Sequence, residues 1–157
     1  MAGRLAYSDA RLGINPHRAG ELYVSKQGLG PVLVGGKRMP WGKGAIAGGL
    51  VFLSGLEGRT DDDGAPVVGI VAQTHLALSR GAQYLHEAGT SCENIVRMVQ
   101  YLSSGELLSD FHAARDTWMT AHAPMLLAEQ SYAGILLVQQ FTRQDRLVEI
   151  EVTASMP

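Results

Sequence analysis

Residues 147–153 alternate without a break: Val148, Ile150 and Val152 fall on one side of an extended chain, Glu149, Glu151 and Thr153 on the other. Successive side chains of a strand point to opposite faces, so this segment belongs in a sheet with one apolar and one polar face. The layer that covers the apolar face is legible upstream. Over residues 69–88, Val71, Thr74, Leu78, Gly81 or Ala82, and Leu85 recur three and four apart, with Gln73, Arg80, Gln83 and Glu87 off that stripe. This is the period of a helix with one apolar face. Residues 108–122 repeat it with Phe111, Ala114 or Arg115, and Trp118. Gly89 ends the first helix as a C′ residue, and Ala123 with Pro124 ends the second.

Further strands are predicted over 21–25, 32–34, 45–54, 96–102 and 135–141, with a short extended piece at Val67 and Val68. Residues 1–20 read as an irregular arm and 37–44 as a loop pinned by Trp41. Asp61, Asp62, Asp63 and Gly64 make a turn, as do Arg143, Gln144 and Asp145. Thr90 and Glu93 have the spacing of a capping box. Residues 125–133 have no clear period. The order predicts an α+β fold, a mixed sheet with two helices on one face. The other face needs a cover, and a neighbouring subunit would supply it. The charged fraction of 18% points the same way, against roughly 25% in soluble domains. Residues 1–44 read as an N-terminal extension packed on a core domain of residues 45–157.

Several function classes are excluded as expectations. Net charge is -2 and no basic block exceeds Lys37 and Arg38, so nucleic acid is not the expected partner. Cys92 is the single cysteine, which removes any intrachain disulfide. No apolar run is long enough for a secretory signal or a membrane span, so a cytoplasmic protein is expected. The histidines form no close ligand pair, and no glycine fingerprint for phosphate or dinucleotide stands between a strand and a helix. No metal and no cofactor are expected.

Several short stretches resemble the YjgF/UK114/Rid family in order and spacing. They are Gly49 to Gly55 (GLVFLSG), Gln73 with Thr74, Ala88 to Ser91 (AGTS), Asn94 to Leu102 (NIVRMVQYL), Asp110 with Phe111, and Leu147 to Glu151 (LVEIE) with Ala154. The resemblance runs over residues 45–154. It implies a chorismate-mutase-like sheet with two helices, assembled as a homotrimer with a barrel-like core and clefts between subunits. It also implies hydrolysis of small reactive imines or enamines with release of ammonia. The family's deaminating branch holds a substrate carboxylate with an Arg in a "P-a-R" motif, and a later Glu helps position water.

This chain departs from that motif. Counting back from Glu149 sets Tyr132, Ala133 and Gly134 against it, so that Gly134 takes the Arg position. Counting forward from the second helix sets Pro124, Met125 and Leu126 there. Neither supplies a guanidinium, which glycine or leucine cannot replace. Arg143 and Arg146 lie close to the far end of the strand that follows the motif and could serve from another direction, but at a turn solvent exposure is the expected reading. Glu149 matches the family's Glu and is the candidate catalytic residue, orienting water; a plain strand residue facing solvent is the competing reading. Glu57 is a second candidate carboxylate or a loop surface position. Ser54 and Gly55 would offer backbone N–H groups to the substrate. Trp41 and Tyr132, aromatics in irregular segments, would line the pocket with Gly134 and favour a conjugated or aromatic substrate. The expected function is therefore a hydrolase, deaminase or tautomerase acting on an imine, enamine or enol. The alternative is a trimeric ligand-binding or regulatory protein that has lost the chemistry.

Overall fold

A computed structural model describes residues 26–157. The predicted strand over 21–25 and the arm over 1–20 lie outside the described residues. The chain runs β1 (Gln27–Gly28), β2 (Pro31–Val34), β3 (Lys37–Gly42), β4 (Gly44–Ala47), β5 (Leu50–Leu53), β6 (Leu56–Glu57), α1 (Ile70–Glu87), β7 (Ile95–Leu102), α2 (Leu108–His122), α3 (Pro124–Glu129), β8 (Ala133–Val138) and β9 (Val148–Ser155). The main sheet is seven-stranded, in the order β1-β4-β5-β9-β7-β8, with β6 also on β9. β7 and β8 are parallel and the other pairs antiparallel, so the sheet is mixed. β2 and β3 form a separate hairpin.

The core lies between the helices and one sheet face. Val148, Ile150, Val152 and Ala154 of β9 are buried, with Ile95, Met98 and Leu102 of β7, against Leu78 and Leu85 of α1 and Phe111, Trp118 and Met119 of α2. α1 comes close to β6 because Gly81 has no side chain; a Cβ there would sit 2.8 Å from Leu56 Cδ1. Gly89, at φ +88°, ends α1 in a Schellman motif, its N–H donating to His86 O and that of Thr90 to Leu85 O, both at 3.0 Å. No helix of the described residues is long and apolar enough to cross a membrane.

Four local expectations need correction. The strand predicted over 45–54 is a hairpin, β4 and β5, turning at Gly48 and Gly49 with φ of 61° and 75°. Two adjacent positive-φ glycines make the tight turn whose twist suits antiparallel strands. Gly35 and Gly36 repeat the device, so residues 37–42 are strand β3 rather than a loop. Thr90 and Glu93 do not form a capping box. Thr90 Oγ1 donates to Ser155 O at 2.7 Å, and Glu93 accepts from the N–H groups of Met125 and Leu126, capping α3 from a distance. That cap, with Pro124 in the first turn, makes a helix of a segment that shows no periodicity. On α1, finally, Val71 is exposed and Gln73 is buried, the reverse of the expectation at those two positions, while Thr74, Leu78, Gly81 and Leu85 of the predicted face are buried. Gln73 is tolerated there because its amide is fully engaged. Nε2 donates to Val67 O and Asp145 O, and Oε1 accepts from Leu147 N–H, each at 2.9 Å.

Candidate active site

The register of β6 on β9 sets Leu56 opposite Ile150 and Glu57 opposite Glu149. Leu56 and Ile150 enter the core, which leaves the two carboxylates side by side on the other face. Like charges directly across a ladder repel. Arg146 answers them: its Nη1 donates to Glu149 Oε2 at 2.7 Å, and its Nε lies 2.5 Å from Glu57 Oε2. The second contact is an off-line ion pair, since neither of those atoms completes a hydrogen bond. The Arg146 guanidinium also sits over the Phe141 ring, 5.6 Å from its centre. Gln73 holds the backbone on both sides of Arg146, through Asp145 O and Leu147 N–H. Arg146 is thus 20% exposed, against the solvent exposure expected of a turn residue, whereas Arg143 is open to solvent.

Glu149 reaches its place because Gly55 has no Cβ; one built there would overlap Glu149 Oε1. The carboxylate therefore lies directly against the turn between β5 and β6. Ser54 Oγ donates to Gly42 O at 2.6 Å, which ties this turn to the end of β3. These groups line a cavity of about 530 Å³. Its far wall is the hairpin of Val32, Leu33, Val34 and Trp41. Trp41 stands on a strand and remains 47% exposed, so it is a wall of the cavity rather than a buried pin. Arg80 and Tyr84 come from α1. Arg80 is occupied structurally, with Nη1 on Glu57 O, Nη2 on Thr60 O, and Asp62 Oδ1 alongside. Burial raises the Tyr84 phenol above its ordinary value, against the opposing pull of Arg80 and Lys43, so it is a neutral donor at neutral pH.

Ser54, Gly55, Glu57, Glu149 and Trp41 thus share one cavity. Tyr132 and Gly134 do not join them. They line a separate hollow between α2, α3 and β8, so within one chain Trp41 and Tyr132 do not converge. Gly134 on β8 pairs with Met98 of β7, and Leu126 is buried on α3; neither position carries a cation. Arg80 and Tyr84 are cavity residues that pattern reading does not select, and Arg146 is one it raises but places in solvent. Arg146 stands three residues before Glu149, but only the β6 register shows that two carboxylates need it. Among the described residues, no three His, Cys, Asp or Glu side chains gather as a metal ion requires.

The arrangement can hold a small polar molecule against a fixed carboxylate in a partly enclosed, part-apolar space. The family model described as Endoribonuclease L-PSP matches residues 36–156. Among solved structures, a YjgF-family protein from Neisseria meningitidis superposes with a TM-score of 0.67 at 21% identity, covering 85% of this chain and 97% of that one. The Rid-family protein YyfA from Yersinia pestis gives 0.70 at 20% identity, covering 84% and 100%. Yeast Mmf1 gives 0.65 at 19% identity, covering 85% and 97%. At these identities the likeness is one of fold. No curated protein matches the chain by sequence.

Proposed function

The chain belongs to the Endoribonuclease L-PSP family, that of the YjgF/UK114/Rid proteins, and we propose that it hydrolyses or tautomerises a small reactive imine, enamine or enol in the Glu149 cavity. The observation that carries this reading is the Glu57–Glu149 pair held by one guanidinium at a cavity wall. Arg146 fixes Oε2 of Glu149, and the bare Gly55 fixes where Oε1 can lie. A carboxylate oriented in this way suits a base toward water. As water adds to the carbon of a protonated C=N bond, Glu149 takes one of its protons and then returns it to the carbinolamine nitrogen. The C–N bond breaks as Glu149 accepts the hydroxyl proton, which leaves a carbonyl and ammonia. The backbone N–H of Gly55 would polarise the reacting bond, whereas that of Ser54, against expectation, is already given to Lys43 O at 3.0 Å.

A nucleic-acid substrate suits this cavity poorly. Phosphates need unpaired cations, and Arg80 and Arg146 are both paired with carboxylates. The apolar wall of Leu33 and Trp41 favours a conjugated or aromatic body on the substrate. We place the working enzyme as a homotrimer with this cavity at a subunit boundary. Support comes from the exposed apolar side chains of the sheet, Phe52, Ile135 and Leu137 among them.

The decisive experiment is Glu149→Gln, which keeps volume and removes basicity. Turnover of a conjugated enamine, followed as ammonia released, is expected to fall by roughly 10²- to 10⁴-fold, the size of a general acid–base contribution. An unchanged rate in the folded variant would make Glu149 a plain strand residue; no turnover by the parent would leave the ligand-binding alternative standing.

A further inference from the structure

Four charged side chains line the Glu149 cavity: Glu57, Glu149, Arg80 and Arg146. Their charges do not balance. Arg80 is paired with Asp62, which lies outside the lining, and donates besides to the carbonyls of Glu57 and Thr60. Lys43, over the Tyr84 ring, is likewise held by Glu87. Glu57 and Glu149 then share the single guanidinium of Arg146, and the cavity is left with an excess of negative charge. The raised Tyr84 phenol is neutral and does not offset it. A ligand carboxylate would enter a partly enclosed space against two carboxylates, where like charges are poorly screened. An organic cation would meet the opposite sign.

The free oxygens of the pair suit such a cation. Arg146 engages the Oε2 atom of each carboxylate. Among the described residues neither Oε1 accepts a hydrogen bond, although the two side chains are only 21% and 24% exposed. Mostly buried acceptors in that condition favour a donor ligand. A protonated imine carries two N–H donors on one planar, positive group. The hairpin opposite presents Leu33 and the half-exposed indole of Trp41. An aromatic body that shares the positive charge packs well on such an indole face.

We propose that the Glu149 cavity takes a planar organic cation without a carboxylate, namely the protonated imine of an arylalkyl amine. Glu57 Oε1 holds the iminium N–H groups, and Glu149 Oε1 is left to the attacking water. The negative excess also keeps the nitrogen protonated, which is the form that water attacks. A substrate of this kind needs no guanidinium at position 134, where the chain has glycine. The inference rests on the hydrolase reading for the reaction, but not for the charge that the cavity selects.

Benzamidine is a stable planar cation with the shape of a protonated aryl imine. It is titrated into the full chain by calorimetry and by backbone-amide NMR, with benzamide and benzoate as the neutral and anionic controls. Amide shifts are expected at Trp41, Gly55, Glu57 and Glu149. Loss of a charge-assisted hydrogen bond implies at least about tenfold weaker binding of benzamide and of benzoate, and of benzamidine to Glu57→Gln, which keeps the volume. Trp41→Leu is expected to weaken benzamidine about two- to fivefold, and it keeps the test open if Glu57→Gln fails to fold. Turnover is read separately on the imines generated in situ by oxidation of benzylamine and of phenylglycine, which differ only by the carboxylate. The parent is expected to favour the benzylamine imine by at least about tenfold in kcat/KM. Absence of benzamidine binding, benzoate bound at Glu149 as tightly as benzamidine, benzamidine binding unchanged in Glu57→Gln, or faster turnover of the phenylglycine imine would each overturn the proposal. Turnover of neither imine, with benzamidine still bound at Glu149, would overturn the hydrolase reading alone.

Discussion

β8 and β9 flank the same strand, β7, and differ in what covers them. β9 (Val148–Ser155) alternates apolar and polar residues, and every helix-facing residue from Val148 to Ala154 is buried. β8 (Ala133–Val138) is more apolar, AGILLV, yet only Leu136 is less than exposed. Hydrophobic content therefore does not locate the core here. β9 runs through the middle of the sheet under α1, whereas β8 is the edge strand, and the helices do not close over it. An edge strand with Ile135 and Leu137 in the open is a template for another chain.

The largest effect that sharpens this contrast concerns assembly. Light scattering is expected to give a trimer mass for the parent protein and a monomer mass for Ile135→Asp/Leu137→Asp, with helical circular dichroism retained. A monomeric parent would break the comparison, because β8 would then be apolar with nothing to cover it. Next in size is Ile150→Ala on the covered side. The residue is fully buried, and deleting its side chain should lower stability by about 2–5 kcal/mol in a urea titration.

The smallest effect probes how dry the covered side is. Cys92 packs in the same core, and burial pushes its thiol up to about 11, with Glu93 adding to the rise. In the unfolded chain the thiol titrates near 9.0. Below that pH both states hold the proton and the contribution is complete. As pH rises from 9 toward 11 only the unfolded thiol ionises, so stability falls, by about 1–2 kcal/mol. Cys92→Ser is expected to flatten that alkaline slope in urea midpoints; an unchanged slope would mean that water reaches the thiol.

Much of the fold is legible because it rests on period and punctuation. The helices over 70–87 and 108–122 and the last strand follow from residue spacing, and the closing Gly89 from its freedom to adopt positive φ. The two glycine-pair hairpins carry an equally local signal, at Gly35–Gly36 and Gly48–Gly49, that reading by hydrophobic runs passes over. α3 has no such signal. Its first turn is capped by Glu93, thirty-two residues before the first N–H it accepts. Gln73 misleads for a related reason. A polar residue on a helix reads as surface until the carbonyls and N–H groups it serves are in place.

The candidate site divides along the same line. Local sequence marks Glu149 by its place in an alternating strand and Ser54 with Gly55 by the strand end they close. It cannot say that Glu57 stands opposite Glu149, because ladder register is a relation between segments far apart in the chain. It cannot say that Arg146 turns inward, because the groups that hold it, Gln73 and the two carboxylates, come from α1, β6 and β9. Nor can it separate Trp41 from Tyr132, which line different hollows. Short-range patterns of apolarity and backbone freedom determined the elements. Which charges meet, and which donors are left free, was decided only by the packing of those elements, since ion pairs and hydrogen bonds act over a few ångströms of space and take no account of distance along the chain.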